Sequence, residues 1–157
     1  MTSEPALNSD FMDFLRELAE ADVDYLVVGG FAVAAHGYQR ATKDIDIFVR
    51  PSIENARRVL RALTGFGAPL HGVDEAELAA PGLILQLGVP PRRIDVINLI
   101  EGVSFDEANA HPVTVRIGGV AIQVIGFEAL LANKRAVGRP EDLKDIRMLT
   151  KVRSGRS

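Results

Sequence analysis

The run Asp44-Ile-Asp-Ile-Phe-Val49 alternates carboxylate and apolar side chains with a period of two. That alternation marks a β-strand, and it sends Asp44 and Asp46 out of one sheet face with roots about 7 Å apart. Two carboxylates so placed repel each other and resist burial, so they are tolerated where solvent or a cation neutralises them. Oxygen donors with no His or Cys nearby favour a hard ion such as Mg²⁺, which binds a few carboxylates and completes its shell with water and phosphate oxygens. An edge strand with one solvated face produces the same pattern, so the reading turns on what else the chain brings to this strand.

Two features bear on it. Upstream, the apolar run Tyr25-Leu-Val-Val28 reads as a buried strand halted by Gly29-Gly30 and followed by an alanine-rich helical stretch, Phe31 to Ala35. A glycine turn there lets the backbone approach a ligand closely and lets amides face an anion. Downstream, Asp95 stands inside the predicted strand Arg93-Ile-Asp-Val-Ile-Asn98, where an isolated carboxylate between Ile94 and Val96 has no packing purpose. Three carboxylates on adjacent strands beside a glycine turn are consistent with a two-metal phosphoryl-transfer site.

The rest of the chain supplies the scaffold. Phe11, Phe14, Leu15 and Leu18 fall on one helical stripe, with Ser9 or Asp10 expected as its cap. Pro51-Ser52 opens a second helix carrying Ile53, Ala56, Leu60 and Leu63 on one face, with Gly65 expected at its C-terminus. Asp74-x-x-Glu77 predicts a short helix ended by Pro81-Gly82, and strands are expected over Leu83 to Leu87 and Arg93 to Leu99. Val113 to Ile117 and Val120 to Ile125 form a hairpin about Gly118-Gly119, and helices over Phe127 to Val137 and Pro140 to Lys151 complete an α+β fold of about five strands. The expected organisation is one domain over residues 1–157, with flexible ends at 1–8 and 152–157.

Composition narrows the function classes. A chain of 157 residues, 47% hydrophobic and 25% charged, can bury an ordinary core, which excludes bulk disorder. The apolar runs are short and residues 1–10 are acidic and polar, so no membrane span or export signal is expected. With no cysteine there is no disulfide, thiolate zinc site or cysteine nucleophile, which fits a cytoplasmic protein. The net charge of -3 hides an asymmetry: residues 133–157 hold eight Lys/Arg and three Asp/Glu, a local +5 against -8 elsewhere. That basic end can meet phosphates or simply decorate the solvent face of two terminal helices. An acidic total and nine aromatics leave few means of stacking on bases, which disfavours a nucleic-acid-binding role.

Val28-Gly-Gly30, Asp44-Ile-Asp-Ile47 and Ile94-Asp-Val96 together resemble the nucleotidyltransferase superfamily signature of a hydrophobic residue and two small ones, then Asp-x-Asp, then a third carboxylate. Gly29-Gly-Phe-Ala-Val-Ala-Ala-His-Gly37, Arg40-Ala-Thr-Lys-Asp-Ile-Asp46 and Asn133-Lys-Arg-x-x-Gly-Arg-Pro-x-Asp-Leu-x-Asp145 look more closely like the small bacterial AbiEii/AbiGii toxin-type proteins, over about residues 10–150. The resemblance implies a polymerase-beta-like core, a mixed sheet flanked by helices. It further implies NTP, ATP among them, and Mg²⁺ or Mn²⁺ as ligands, and transfer of a nucleoside monophosphate with release of pyrophosphate.

Carried over by position, Asp44, Asp46 and Asp95 would be the catalytic and metal-binding residues, with Asp95 helping to activate the acceptor hydroxyl. Gly29 and Gly30 would hold the triphosphate and Lys134 would stand near the phosphates, with Asp145 either orienting it or forming a surface ion pair. Arg40 and Thr42, on the loop entering the metal strand, can contact a phosphate or order the loop. His36 reads as structural, and His71 and His111 have no identifiable partner.

Polymerising and antibiotic-modifying members of the superfamily are expected to carry an additional acceptor-holding domain, for which this chain has no room. Its acceptor is therefore open among an RNA end, a protein hydroxyl and a small molecule, and a homodimer or a separate partner protein is expected to complete the site. The competing reading is a non-catalytic binding or regulatory subunit of a toxin-antitoxin pair; the intact carboxylates favour the enzyme.

Overall fold

The computed structural model describes residues 7–39 and 44–155. In chain order the elements are α1 (Ser9–Glu20), β1 (Tyr25–Val28), α2 (Gly29–Ala35), β2 (Ile45–Val49), α3 (Ile53–Phe66), α4 (Glu75–Ala79) and β3 (Ile84–Leu87). They continue with β4 (Ile94–Ile97), α5 (Phe105–Ala108), β5 (Val113–Ile117), β6 (Val120–Val124), α6 (Phe127–Val137) and α7 (Pro140–Arg153). The strands form one mixed sheet in the order β3-β4-β2-β1-β6-β5, six strands where the sequence pattern predicts about five. β2 runs parallel to β4, β1 runs parallel to β6, and the remaining neighbours are antiparallel.

The apolar runs explain the layout. Every residue of β1 is buried, as an uninterrupted apolar strand at the centre of a covered sheet should be. β2 is paired on both sides, so Asp44-Ile-Asp is not an edge strand with one wet face. Its alternation puts Ile45, Ile47 and Val49 on one face, all buried, and Asp46 and Phe48 on the other. Phe48 meets Phe105 of α5 edge to face at 5.2 Å, so α5, a helix with no signal in the periodicity, packs on the carboxylate-bearing face.

Three local expectations are corrected. The cap of α1 is Asn8, whose Oδ1 accepts the Phe11 amide at 2.9 Å, one residue before Ser9. α3 passes through Gly65 and ends at Gly67, which takes the left-handed conformation at φ +83°. Gly65 instead faces α1, where an added Cβ would collide with the Glu17 carboxylate. α7 continues through Val152 and Arg153, which the sequence pattern assigns to the tail. Residues 1–6, 156 and 157 of the expected ends lie outside the described residues. Among the described residues no helix is long and apolar enough to cross a membrane.

Asn98, just past β4, is a buried clamp that hydrophobic periodicity does not reveal. Its Oδ1 accepts the Gly82 and Leu83 amides, both at 2.8 Å, and its Nδ2 donates to the Leu78 and Ala80 carbonyls at 3.0 and 2.9 Å. Asn98→Ala should therefore lower the unfolding free energy by at least about 2 kcal/mol, since buried backbone groups lose their partners. Urea unfolding checks this, and a loss under about 0.5 kcal/mol would mean that water replaces the amide at no cost.

Candidate active site

β1, β2 and β4 bring the predicted carboxylates to one end of the sheet. Asp46 is the register partner of Asp95 across the parallel β2–β4 pair and of Val28 across the antiparallel β1–β2 pair. Gly29 follows Val28 directly, and an added Cβ on it would strike Asp46 Oδ2. Gly29 also has φ +69°, so glycine is required there on two independent grounds.

A fourth residue joins the cluster without having been signalled. Arg93 lies two residues before Asp95 on the same strand, hence on the same face, and its guanidinium bridges the carboxylates. Its Nη2 stands 3.1 Å from Asp44 Oδ2 and its Nε 3.0 Å from Asp95 Oδ1. Asp44 and Asp95 are thus brought together through a cation supplied by the chain itself. A period-two reading of Arg93-Ile-Asp95 contains this information, because the spacing is that of Asp44 and Asp46.

Burial pushes the Asp46 carboxyl up to about 6, and the charges of Asp95 and Asp44 add to the shift while Arg93 opposes it. Asp44 Oδ1 is buried with no hydrogen-bond partner among the described residues. Among the described residues no three acidic or imidazole side chains enclose a metal position by themselves, the Asp44 and Asp95 oxygens being turned onto Arg93.

Lys134 is held by carboxylates of α7. Its ammonium is buried, at 6% side-chain exposure, between Asp142 Oδ1 at 3.1 Å and Asp145 Oδ2 at 2.9 Å. Its ion pairs run to α7 and not to Asp44, Asp46 or Asp95. Arg139 completes the knot: its Nε donates to Asp142 Oδ2 at 2.7 Å, and these cations pull the Asp142 carboxyl down to about 2. Asp145 is equally buried, so it is no surface ion pair. His36 is structural, with Nε2 2.8 Å from the Ile125 carbonyl and its ring against Phe127. Arg40 and Thr42 lie outside the described residues.

Removing Lys134 leaves buried carboxylates undercompensated, so Lys134→Ala should cost about 3–5 kcal/mol, whereas the exposed Lys144→Ala should cost almost nothing. Denaturant unfolding of both variants checks it, and equal losses would make the knot energetically idle. Gly29→Ala should lose more stability than Gly119→Ala. Both glycines have positive φ, but only at Gly29 does the methyl meet a side chain, so the difference reads the Asp46 collision.

With this geometry in place, comparison with known proteins is informative. The family described as nucleotidyl transferase of unknown function (DUF2204) matches residues 8–156. A search of curated proteins finds no relative. Among solved structures, a Thermotoga maritima protein assigned as a nucleotidyltransferase superposes with a TM-score of 0.57 at 16% identity, covering 96% of this chain and 97% of that one. The lincomycin-bound lincosamide antibiotic adenylyltransferase LnuA gives 0.58 at 19% identity, with 94% and 98% covered. The antibiotic-resistance factor ANT(2'')-Ia gives 0.58 at 14% identity, with 92% and 82% covered. These likenesses establish the fold. The sheet of carboxylates beside a glycine turn and the match over residues 8–156 agree, and the chain belongs to the nucleotidyl transferase family.

Proposed function

We propose that this nucleotidyltransferase moves a nucleoside monophosphate from an NTP to a hydroxyl acceptor, with Mg²⁺ or Mn²⁺ as cofactor. The observation that carries the proposal is the pairing of Asp46 with Asp95 on parallel strands, with Gly29 against Asp46. The donor set fits a hard divalent ion: three carboxylates at one sheet end, with Asp44 Oδ1 and Asp95 Oδ1 buried and without a hydrogen bond among the described residues. Asp44, Asp46 and Asp95 would hold the ion, which supplies charge neutralisation for the triphosphate and for the transferred group.

The chain's own residues do the rest. The Gly29-Gly30 turn lets the triphosphate approach the backbone beside Asp46, and Arg40 and Thr42, which precede β2 in the sequence, would contact a phosphate. The acceptor oxygen forms a bond to the α-phosphorus as the bond to the pyrophosphate oxygen breaks, and Asp95 takes the hydroxyl proton. Lys134, held by its ion pairs to α7, would stand near the phosphates.

A small molecule is the acceptor class best supported. Val27 pairs with Val124 across the parallel β1–β6 pair, so Gly29 and Gly126, the N-cap of α6, each stand two residues past that register pair. A cleft of about 530 Å³ borders Gly126 and is lined by Glu107, His111, Phe127, Glu128 and Arg153, a size and mixed polarity suited to a drug-sized ligand.

Calorimetric titration of ATP and GTP, with and without Mg²⁺, tests the core of the proposal. Affinity should require the metal and should fall more than about tenfold in Asp44→Asn and Asp46→Asn, each of which removes charge while conserving shape. Unchanged affinity in both variants would reject metal-bridged binding at these residues.

A further inference from the structure

Arg93 is the unexplained member of the site. A guanidinium among carboxylates can be a permanent structural partner, as Lys134 is in the α6–α7 knot, or a provisional one. The two clusters differ in ways that separate these roles. Lys134 is 6% exposed and its two carboxylates 1–2%, whereas Arg93 is 31% exposed, Asp44 22% and Asp95 13%. Arg93 Nε and Asp95 Oδ1 are 3.0 Å apart, yet both atoms are buried without a hydrogen bond of good geometry, as is Asp44 Oδ1. The directed contact that remains, Nη2 donating to Asp95 Oδ2, is 3.3 Å long. Arg93 therefore neutralises the carboxylates chiefly as a nearby charge.

Resting on the reading of Asp44, Asp46 and Asp95 as the metal-holding residues, we propose that Arg93 is a displaceable internal counter-ion. It occupies the oxygens that a divalent cation needs, and it yields them when that cation enters. Two reasons follow from electrostatics. Without a cation, like charges side by side on β2 and β4 destabilise the strand pair, and Arg93 offsets them. With a divalent cation bound, the same guanidinium faces a concentration of positive charge, and its partial exposure gives it a path toward solvent. Arg93 is thus a positioning residue that sets metal affinity, so that the free ion competes with the chain's own cation.

The test uses Mn²⁺ alone, without nucleotide, followed by electron paramagnetic resonance of the free ion on the full chain. Arg93→Ala and Arg93→Gln should bind Mn²⁺ more tightly than the unaltered protein by about 5- to 150-fold, the ordinary size of a coupling between two binding events. Arg93→Lys, which keeps the charge, should stay within about twofold of the unaltered protein. A merely structural arginine would give the opposite sign, because a damaged strand pair binds metal less well.

Equal or weaker Mn²⁺ binding in Arg93→Ala and Arg93→Gln, with binding to the unaltered protein still abolished by Asp46→Asn, overturns the counter-ion role and leaves the metal site standing. Absence of binding in the unaltered protein and in both charge-removing variants overturns the counter-ion role and the site reading together. If neither charge-removing variant folds, the unaltered protein decides. The Arg93 Nε–H resonance, assigned by ¹⁵N labelling, should shift or broaden as Mg²⁺ is added, and an unmoved resonance at saturating Mg²⁺ rejects the displacement.

Discussion

Like charge on neighbouring strands is the constraint around which this molecule is arranged. Asp46 and Asp95 are register partners on parallel strands, and Asp44 projects from the same face two residues earlier. Left alone, such a set would repel across the sheet and would resist the burial that β1 and β2 otherwise impose. The upward shift of the Asp46 carboxyl to about 6 records that tension, and Arg93 is the chain's own answer to it.

The surrounding framework holds the strained end of the sheet in place. Buried asparagines tie loops to strands: Asn98 clamps the segment before β3, and Asn55 accepts the Asp24 amide at 2.7 Å while donating to the Asp24 and Arg50 carbonyls. At the C-terminal end the Lys134, Arg139, Asp142 and Asp145 knot fixes α7 against α6, whose N-cap is Gly126. Pairing is tight and buried in that knot, whereas at Arg93 it is looser and partly exposed.

Likeness to solved structures at 14–19% identity establishes the architecture and no more. Family membership resolves at the level of the nucleotidyl transferase family, the coarser part of the AbiEii-type resemblance.

Local patterns in the chain carried most of the architecture and part of the site. Period-two alternation identified β2, an apolar run followed by two glycines identified β1 and its turn, and paired glycines at φ +55° and +80° made the β5–β6 hairpin legible. Caps were less legible, because Asn8, Ser9 and Asp10 are adjacent good caps and Gly65 and Gly67 are alternative stops; packing of α1 against α3 chose between them. Spacing within one strand guaranteed that Asp44 and Asp46 share a face, since the pleat is a local property. That Asp95 joins them depends on the pairing of β2 with β4, across nearly fifty residues of chain, and no local pattern encodes strand order. The same holds for the two cations: the motif singled out Lys134 without its α7 partners, and nothing singled out Arg93. Only the tertiary structure, by burying one among α7 carboxylates and setting the other between Asp44 and Asp95, gave each its role, because the energy of a charge depends on its neighbours and its burial rather than on its place in the chain.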